Sequence, residues 1–272
     1  MRYFYFNGKI LPENKVKISP FDAGFLRAYG VFEVLRTYNL KPVELDKHLE
    51  RLLINAKILK IHHPYNKNKI KKAVFEIISK NKFKESELRI ILTGGVSKNP
   101  FYFKGHTFLI IATEFIPYDK KYYLSGAYLG LKEYQRELPE IKSLNYFLAI
   151  SYLKEFKNCL EVLYYKNDYI LETTFSNFFI VKNNTLITPK FGVLKGITRG
   201  TVLNLASSLG FKVQERNVKL GELKEADEAF ITSTIKGVMP IVKVSQFKIG
   251  VGKVGEKTKL LMKKFEDYYK KL

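Results

Sequence analysis

Four short stretches hold side chains whose types and spacing suit them to chemistry. IKSLNY, from Ile141 to Tyr146, sets the amine of Lys142 just ahead of a predicted helix that Ser143 could cap. ETTFSNFF, from Glu172, places one carboxylate and several small polar residues between two apolar runs. Thr, Ser and Asn serve a solvated turn well, but the same pattern suits a carboxylate that faces a cavity and holds something cationic there. LKGITRG, from Leu194 to Gly200, is a glycine turn opening directly into a helix. Free N–H groups at such a start, here those of Ile197 and Thr198, favour an anion. HLERL sets His48 and Arg51 one helical turn apart. Singly, Lys142 would be a surface lysine and Arg51 a solvated helix arginine. Together the four stretches look like parts of one site.

The elements that must position them follow from periodicity. Tyr3–Phe6, the turn Asn7-Gly8 and Lys9-Ile10 predict a hairpin. Val31 to Thr37 is rich in β-formers and predicts a strand. Leu45, Leu49, Leu52, Leu53, Ala56 and Leu59 make one stripe of a helix over about 44–60, and Ile70, Val74, Ile77 and Ile78 mark a second. Strands are expected near 88–92 and 107–113, with the loop Gly94 to Gly105 between them. A proline and charges in Phe115 to Lys121 suggest a linker, so the chain divides into a smaller domain, 1–115, and a larger one, 122–272. Later elements are a helix from Leu144 to about Phe156, the strands flanking ILETTFSNFFI, and a helix after Gly200 that stops at Gly210. A final amphipathic helix from Lys257 carries Leu261, Phe265 and Tyr268 on one side. An α+β chain in two parts is the expected class.

At 272 residues and 46% hydrophobic content the chain can bury a sizeable core. No apolar run approaches the roughly 20 residues of a membrane helix. Its first residues lack the features of a signal peptide, and Cys159 is the only cysteine, so a cytoplasmic, reducing setting is expected. The formal charge of +21 raises nucleic acid as a partner. The charge is mostly lysine, however, scattered in small groups and without an aromatic or glycine-rich binding motif, so neither nucleic acid nor membrane is the expected partner. No metal site is expected. Arginines are few, and each invites a reason.

The ordered set GVFEVLRTY, HLERL, KSLNY, ETTFSNFF, LITP, LKGITR and FITSTIKGVMPI resembles the fold type IV, or class IV, pyridoxal-phosphate aminotransferases. That family includes branched-chain and D-amino-acid aminotransferases and aminodeoxychorismate lyases. The resemblance runs from YFNGKI to the C-terminal helix, with a slightly short gap between Thr188 and Leu194. It implies a two-domain D-amino-acid-aminotransferase-like fold, a homodimer, and pyridoxal 5'-phosphate held between the domains with a neighbouring subunit closing the pocket. The cofactor needs a lysine for a Schiff base, a carboxylate on its pyridine nitrogen and an anion site for its phosphate. By this resemblance Lys142 is the catalytic lysine, and Glu172 keeps the ring nitrogen protonated. Arg51, Ile197, Thr198, Ser233 and Thr234 bind the phosphate, Leu194 packs on the ring face, and Tyr146 bonds the phenolic oxygen or serves as core. His48 reads as structural.

Substrates implied are a small amino acid, branched-chain or D-amino, and a 2-oxo acid such as 2-oxoglutarate. The loop SKNPFYFKG lacks the Arg and His with which the better-known D-amino-acid enzymes hold a carboxylate. Arg27, which could equally serve a subunit contact, and Arg36 are the candidate cations for that task. Phe32, Phe101 and Tyr102 are expected to line an apolar slot. Aminodeoxychorismate lyase, forming 4-aminobenzoate and pyruvate, is the alternative reaction; a basic nucleic-acid-binding protein is the alternative of another class.

Overall fold

The structure, a computed structural model, describes residues 1–99 and 101–271. The chain divides into two compact units, one of Met1–Ile116 with Ile141–Tyr146, the other of Pro117–Glu140 with Phe147–Lys271.

In the first unit the strands are β1 (Tyr3–Phe6), β2 (Lys9–Pro12), β3 (Gly30–Tyr38), β4 (Lys41–Pro42), β5 (Ser86–Thr93) and β6 (Thr107–Glu114). They form one antiparallel sheet in the order β2-β1-β6-β5-β3-β4. The helices are α1 (Ala23–Arg27), α2 (Leu45–Ile58) and α3 (Lys67–Asn81). Leu49 and Leu52 of α2 and Ile70, Val74 and Ile77 of α3 join Leu35, Leu88 and Ile110 of the sheet in one core. The expected hairpin turn is present, with left-handed φ at both Asn7 and Gly8.

Burial along β3 alternates strictly, with Val31, Glu33, Leu35 and Thr37 buried and Phe32, Val34, Arg36 and Tyr38 half-buried. An acid therefore lies on the core face. The strand's first residues also pair with IKSLNY: Phe32 N–H donates to the carbonyl of Lys142 at 3.0 Å and Leu144 N–H to that of Gly30 at 3.0 Å. Gly30 permits this approach, because a Cβ there would meet Leu144 Cδ1 at 2.6 Å. This pairing corrects two expectations. The helix after IKSLNY, α5, begins at Phe147 and not at Leu144, and Ser143, bridged to Val31, does not cap it. It also counts Ile141–Tyr146 with the first unit, although the sequence suggested the second domain.

In the second unit the remaining helices are α4 (Lys120–Ser125), α5 (Phe147–Glu155), α6 (Ile197–Ser208), α7 (Glu222–Glu225) and α8 (Glu256–Lys270). Its strands are β7 (Ala127–Glu133), β8 (Glu161–Lys166), β9 (Tyr169–Thr173), β10 (Asn177–Lys182), β11 (Thr185–Pro189), β12 (Lys212–Arg216), β13 (Val218–Lys219), β14 (Glu228–Ser233), β15 (Gly237–Val244) and β16 (Phe247–Lys248). They make a mixed sheet in the order β12-β11-β10-β14-β15-β7-β8-β9-β13, with β16 on β15. Its core includes Leu129, Leu163, Phe178, Ile180, Ile231 and Met239. Helix α6 starts at Ile197, three residues before Gly200, and ends at Ser208, two residues before Gly210, whose φ is +80°. On α8 the buried stripe is Leu261, Phe265 and Tyr269, so Tyr269 takes the inward place expected of Tyr268.

Candidate active site

In the first unit, IKSLNY holds Lys142 beside β3. Lys142 Nζ stands 4.6 Å from the centroid of the Phe32 ring, and Tyr146 meets that ring edge-on at 5.5 Å. Lys142, Phe32 and Tyr146 are thus brought together. Arg36 lies on the same face of β3, its guanidinium stacked at 3.4 Å on Phe115 and 4.1 Å on Tyr38. Arg27, the last residue of the short α1, is exposed and donates to the carbonyl of Leu26 at 2.9 Å. Phe101 and Tyr102 are also exposed, at 81% and 68%, so within this unit they line no closed slot.

Arg51 is not on a solvated helix face. It is largely buried and forks onto Glu33, with Nε on one carboxylate oxygen and Nη2 on the other, both at 2.7 Å. His48, one turn earlier, places Nδ1 2.7 Å from the same carboxylate. A carboxylate only accepts, so Nδ1 carries the proton. Burial pushes the Glu33 carboxyl up, but Arg51 and His48 outweigh it and hold it down to about 2. Burial lowers His48 despite Glu33, and its Nε2 has no hydrogen-bond partner among the described residues. Glu33 is therefore an anion balanced by Arg51, with a neutral His48 beside it.

In the second unit, Glu172 is the buried next-to-last residue of β9, just ahead of the turn that joins β9 to β10. Arg136 Nε donates to one of its oxygens at 2.9 Å and the N–H of Leu194 to the other at 3.0 Å. Arg136 is also buried, and its Nη2 reaches the carbonyl of Pro139 at 2.7 Å. Asn177, the first residue of β10, donates from Nδ2 to the carbonyl of Leu194 at 2.7 Å. Leu194 is thus clamped through both backbone groups, which joins the stretch ETTFSN to LKGIT. Next to it, Gly196 is the N-cap of α6 and packs so closely on Asn177 Oδ1 that no Cβ would fit.

Ile197 and Thr198 then open α6 with no side chain capping it, and the buried hydroxyl of Thr198 has no hydrogen-bond partner among the described residues. The strand pair β10–β14 sets Asn177 opposite Thr232, so the turn with Ser233 and Thr234 lies at the same end of the sheet. Thr232 Oγ1 is buried and likewise has no partner among the described residues. The structure therefore brings Glu172, Leu194, Ile197, Thr198, Ser233 and Thr234 to one end of one sheet. Sequence reading missed Arg136, Glu33 and Asn177. Arg136 belonged to the sparse arginines, and Glu33 stood out as an acid amid β-formers; those were the available signals.

The family model for class IV amino-transferases matches residues 30–244. A protein of Methanocaldococcus jannaschii, provisionally named a branched-chain-amino-acid aminotransferase, is 33% identical over 97% of this chain and 95% of its own. The aminodeoxychorismate lyase of Bacillus subtilis is 29% identical over 94% of this chain and 91% of its own. Among solved structures, the branched-chain amino acid aminotransferase of Escherichia coli superposes with a TM-score of 0.91 at 26% identity, over 98% of this chain and 94% of that one. The chain belongs to the class IV aminotransferases, the fold type IV enzymes that work with pyridoxal 5'-phosphate.

Proposed function

We propose that the chain transfers an amino group between a small amino acid with an apolar, branched side chain and a 2-oxo acid such as 2-oxoglutarate. The observation that carries this reading is the apolar company of Lys142, whose Nζ stands 4.6 Å from the Phe32 ring centroid with Tyr146 edge-on to that ring. An aliphatic side chain gains by lying against such rings, whereas a polar one loses hydration there.

The side chains suit the cofactor. Thr198 Oγ1 is buried without a partner among the described residues at the start of α6, where N–H groups already favour a phosphate. Glu172 is a buried carboxylate already oriented by Arg136 and Leu194 N–H. When bound, pyridoxal 5'-phosphate supplies an aldehyde open to amines and a ring that accepts electrons. On this reading Lys142 Nζ carries the covalent attachment and moves a proton to and from the substrate Cα. Glu172 holds the proton on the ring nitrogen, and Arg136 keeps Glu172 aimed. Arg51, Ile197, Thr198, Ser233 and Thr234 bind the phosphate, Leu194 packs on the ring, and Tyr146 bonds the phenolic oxygen. Arg27 or Arg36 pairs with the substrate carboxylate.

A homodimer fits the exposed apolar side chains Phe21, Phe25, Val96 and Phe101, on segments held together by the Asp22–Val96 bridge. No helix among the described residues is long and apolar enough to cross a membrane, and a cytoplasmic setting is part of the proposal. A panel of L- and D-amino acids with 2-oxoglutarate tests the reading. Turnover should be highest with the L-branched-chain donors. Pyruvate release from aminodeoxychorismate without transfer to any 2-oxo acid would replace it with the lyase reading.

A further inference from the structure

Another buried acid, with no part in the site described above, holds the turn that follows Glu172. Glu161 opens β8, and each of its oxygens has two partners. One accepts from Thr173 Oγ1 at 2.6 Å and from Phe175 N–H at 2.8 Å. The other accepts from Ser176 Oγ at 2.7 Å and from Lys236 Nζ at 2.9 Å. Three of these donors belong to Thr173–Ser176, the turn that directly follows Glu172. The fourth comes from the turn between β14 and β15, three residues after Ser233.

Lys236 is tied into its own turn. Its N–H donates to Ser233 Oγ at 3.3 Å, and its carbonyl accepts from Tyr123 OH at 2.9 Å. Its Nζ also lies 4.9 Å from the centroid of the Tyr118 ring. The side chains of Lys236 and Glu161 are only 5% and 1% exposed. Burial works against charge on both, yet their mutual attraction holds the Glu161 carboxyl below its usual range and Lys236 above its own. Both remain charged at neutral pH.

We propose that Glu161 and Lys236 form a positioning strut for cofactor binding, fixing the turn that follows Glu172 to the turn that bears Ser233 and Thr234. Stability alone does not account for the pair, since well-packed apolar side chains of similar volume commonly serve a core as well or better. Two apolar residues could not, however, accept three donors from one turn and also reach the other. The β10–β14 ladder ends in this region, at Asn177–Thr232, so both turns run beyond the strand hydrogen bonds that would otherwise set their spacing. The strut takes over there. It rests on the assignment of Glu172 to the ring nitrogen and of Ser233 and Thr234 to the phosphate, and it adds the element that sets the distance between those contacts.

The test is a titration of cofactor-free protein with pyridoxal 5'-phosphate, followed by absorbance and paired with the melting temperature of the same protein. Lys236→Met leaves Glu161 buried without its cation and should lower the melting temperature. The double variant Glu161→Gln with Lys236→Met should regain much of that loss yet bind the cofactor at least tenfold more weakly than the parent. Ser176→Ala, which deletes one bond to Glu161 and keeps the charges, should weaken binding about threefold and gives the answer if the double variant does not fold. Parent-like affinity in a folded double variant, or in Ser176→Ala where only that protein can be measured, overturns the strut. Thr234→Ala separates the two ideas. If it weakens binding while the double variant binds normally, the strut alone fails; if it binds normally, the phosphate assignment fails and takes the strut with it.

Discussion

Arg51 grips Glu33 through two parallel hydrogen bonds of 2.7 Å, one from Nε and one from Nη2, across the interface between α2 and β3. This fork, helped by the hydrogen bond from His48, keeps a buried carboxylate charged. The Glu33 carboxyl falls from an ordinary 4.5 to about 2, which corresponds to about 3 kcal/mol of stability. A depressed carboxyl stabilises fully above its unfolded value and loses that contribution as the pH falls towards the folded one. Urea midpoints should therefore drop between about pH 5 and pH 2, and Glu33→Gln should flatten that slope while lowering stability at pH 7. A Glu33→Gln protein with the parent's acid profile would contradict the pairing.

Arg51→Ala should act twice. If Arg51 binds the phosphate as proposed, loss of that charge-assisted bond should weaken cofactor affinity about tenfold to a hundredfold. Stranding Glu33 as a buried charge costs a further ~3–5 kcal/mol of folding stability. Arg51→Lys restores the charge without the fork, so its melting temperature should recover more than its affinity. Cofactor titrations run well below each variant's melting temperature separate the two effects.

Lys142 should carry the cofactor after borohydride reduction, and peptide mapping should find the added mass on the peptide containing KSLNY. Lys142→Ala should give no such adduct. An adduct of unchanged yield on that variant would move the attachment to another lysine.

Arg136→Met and Glu172→Gln should share a signature, namely cofactor retained and turnover reduced. One removes the group that aims the carboxylate and the other removes its charge, and each loses a charge-assisted contact equivalent to about a tenfold to hundredfold effect. Single-turnover rates with and without deuterium at the donor Cα would show that the slowed step is proton removal. Normal rates in Arg136→Met would reduce that arginine to a fastener for Pro139.

Phe32→Ala should raise the KM for leucine, isoleucine and valine by about tenfold and leave alanine nearly unaffected, since only the longer side chains reach the ring. Arg36→Ala or Arg27→Ala should instead raise the KM for every donor, because each amino acid brings the same carboxylate. The guanidinium of Arg36 is already stacked between Tyr38 and Phe115, which holds it on the Phe32 face of β3. If neither variant changes donor binding, backbone N–H groups of the TSTIKG turn are the next place to look.

The fold was legible where one face of an element meets the core. The stripe Leu45, Leu49, Leu52 locates α2, and the alternation of β3 is visible in GVFEVLRTY, because burial imposes its period on residue type. Lys142, Glu172 and the glycine turn stood out because their residue types and spacing suit a cofactor's needs, and the structure joins two of these stretches through the Leu194 N–H on Glu172. Other features were hidden for a common reason. The extended path of IKSLNY depends on Phe32 N–H and the Gly30 carbonyl, more than a hundred residues away, and local propensity favoured a helix. Likewise Arg136, Glu161 and Lys236 acquire their meaning only from partners distant in sequence.

The pairing of Ile141–Tyr146 with the start of β3 also bears on synthesis and folding. Unit one is not a contiguous stretch of chain, so a nascent polypeptide that has reached Ile116 cannot yet complete it. Phe32 N–H and the Gly30 carbonyl must wait for residues that emerge roughly 25–30 positions later, a delay of about 1–6 s at ordinary elongation rates. A fragment cut at Ile116 would consequently retain its helices and most of its ladder but present an unmatched strand start, the kind of edge on which chains aggregate. The last piece to arrive is the one that brings Lys142, so the amine joins its unit only after much of that unit's sheet can already have formed.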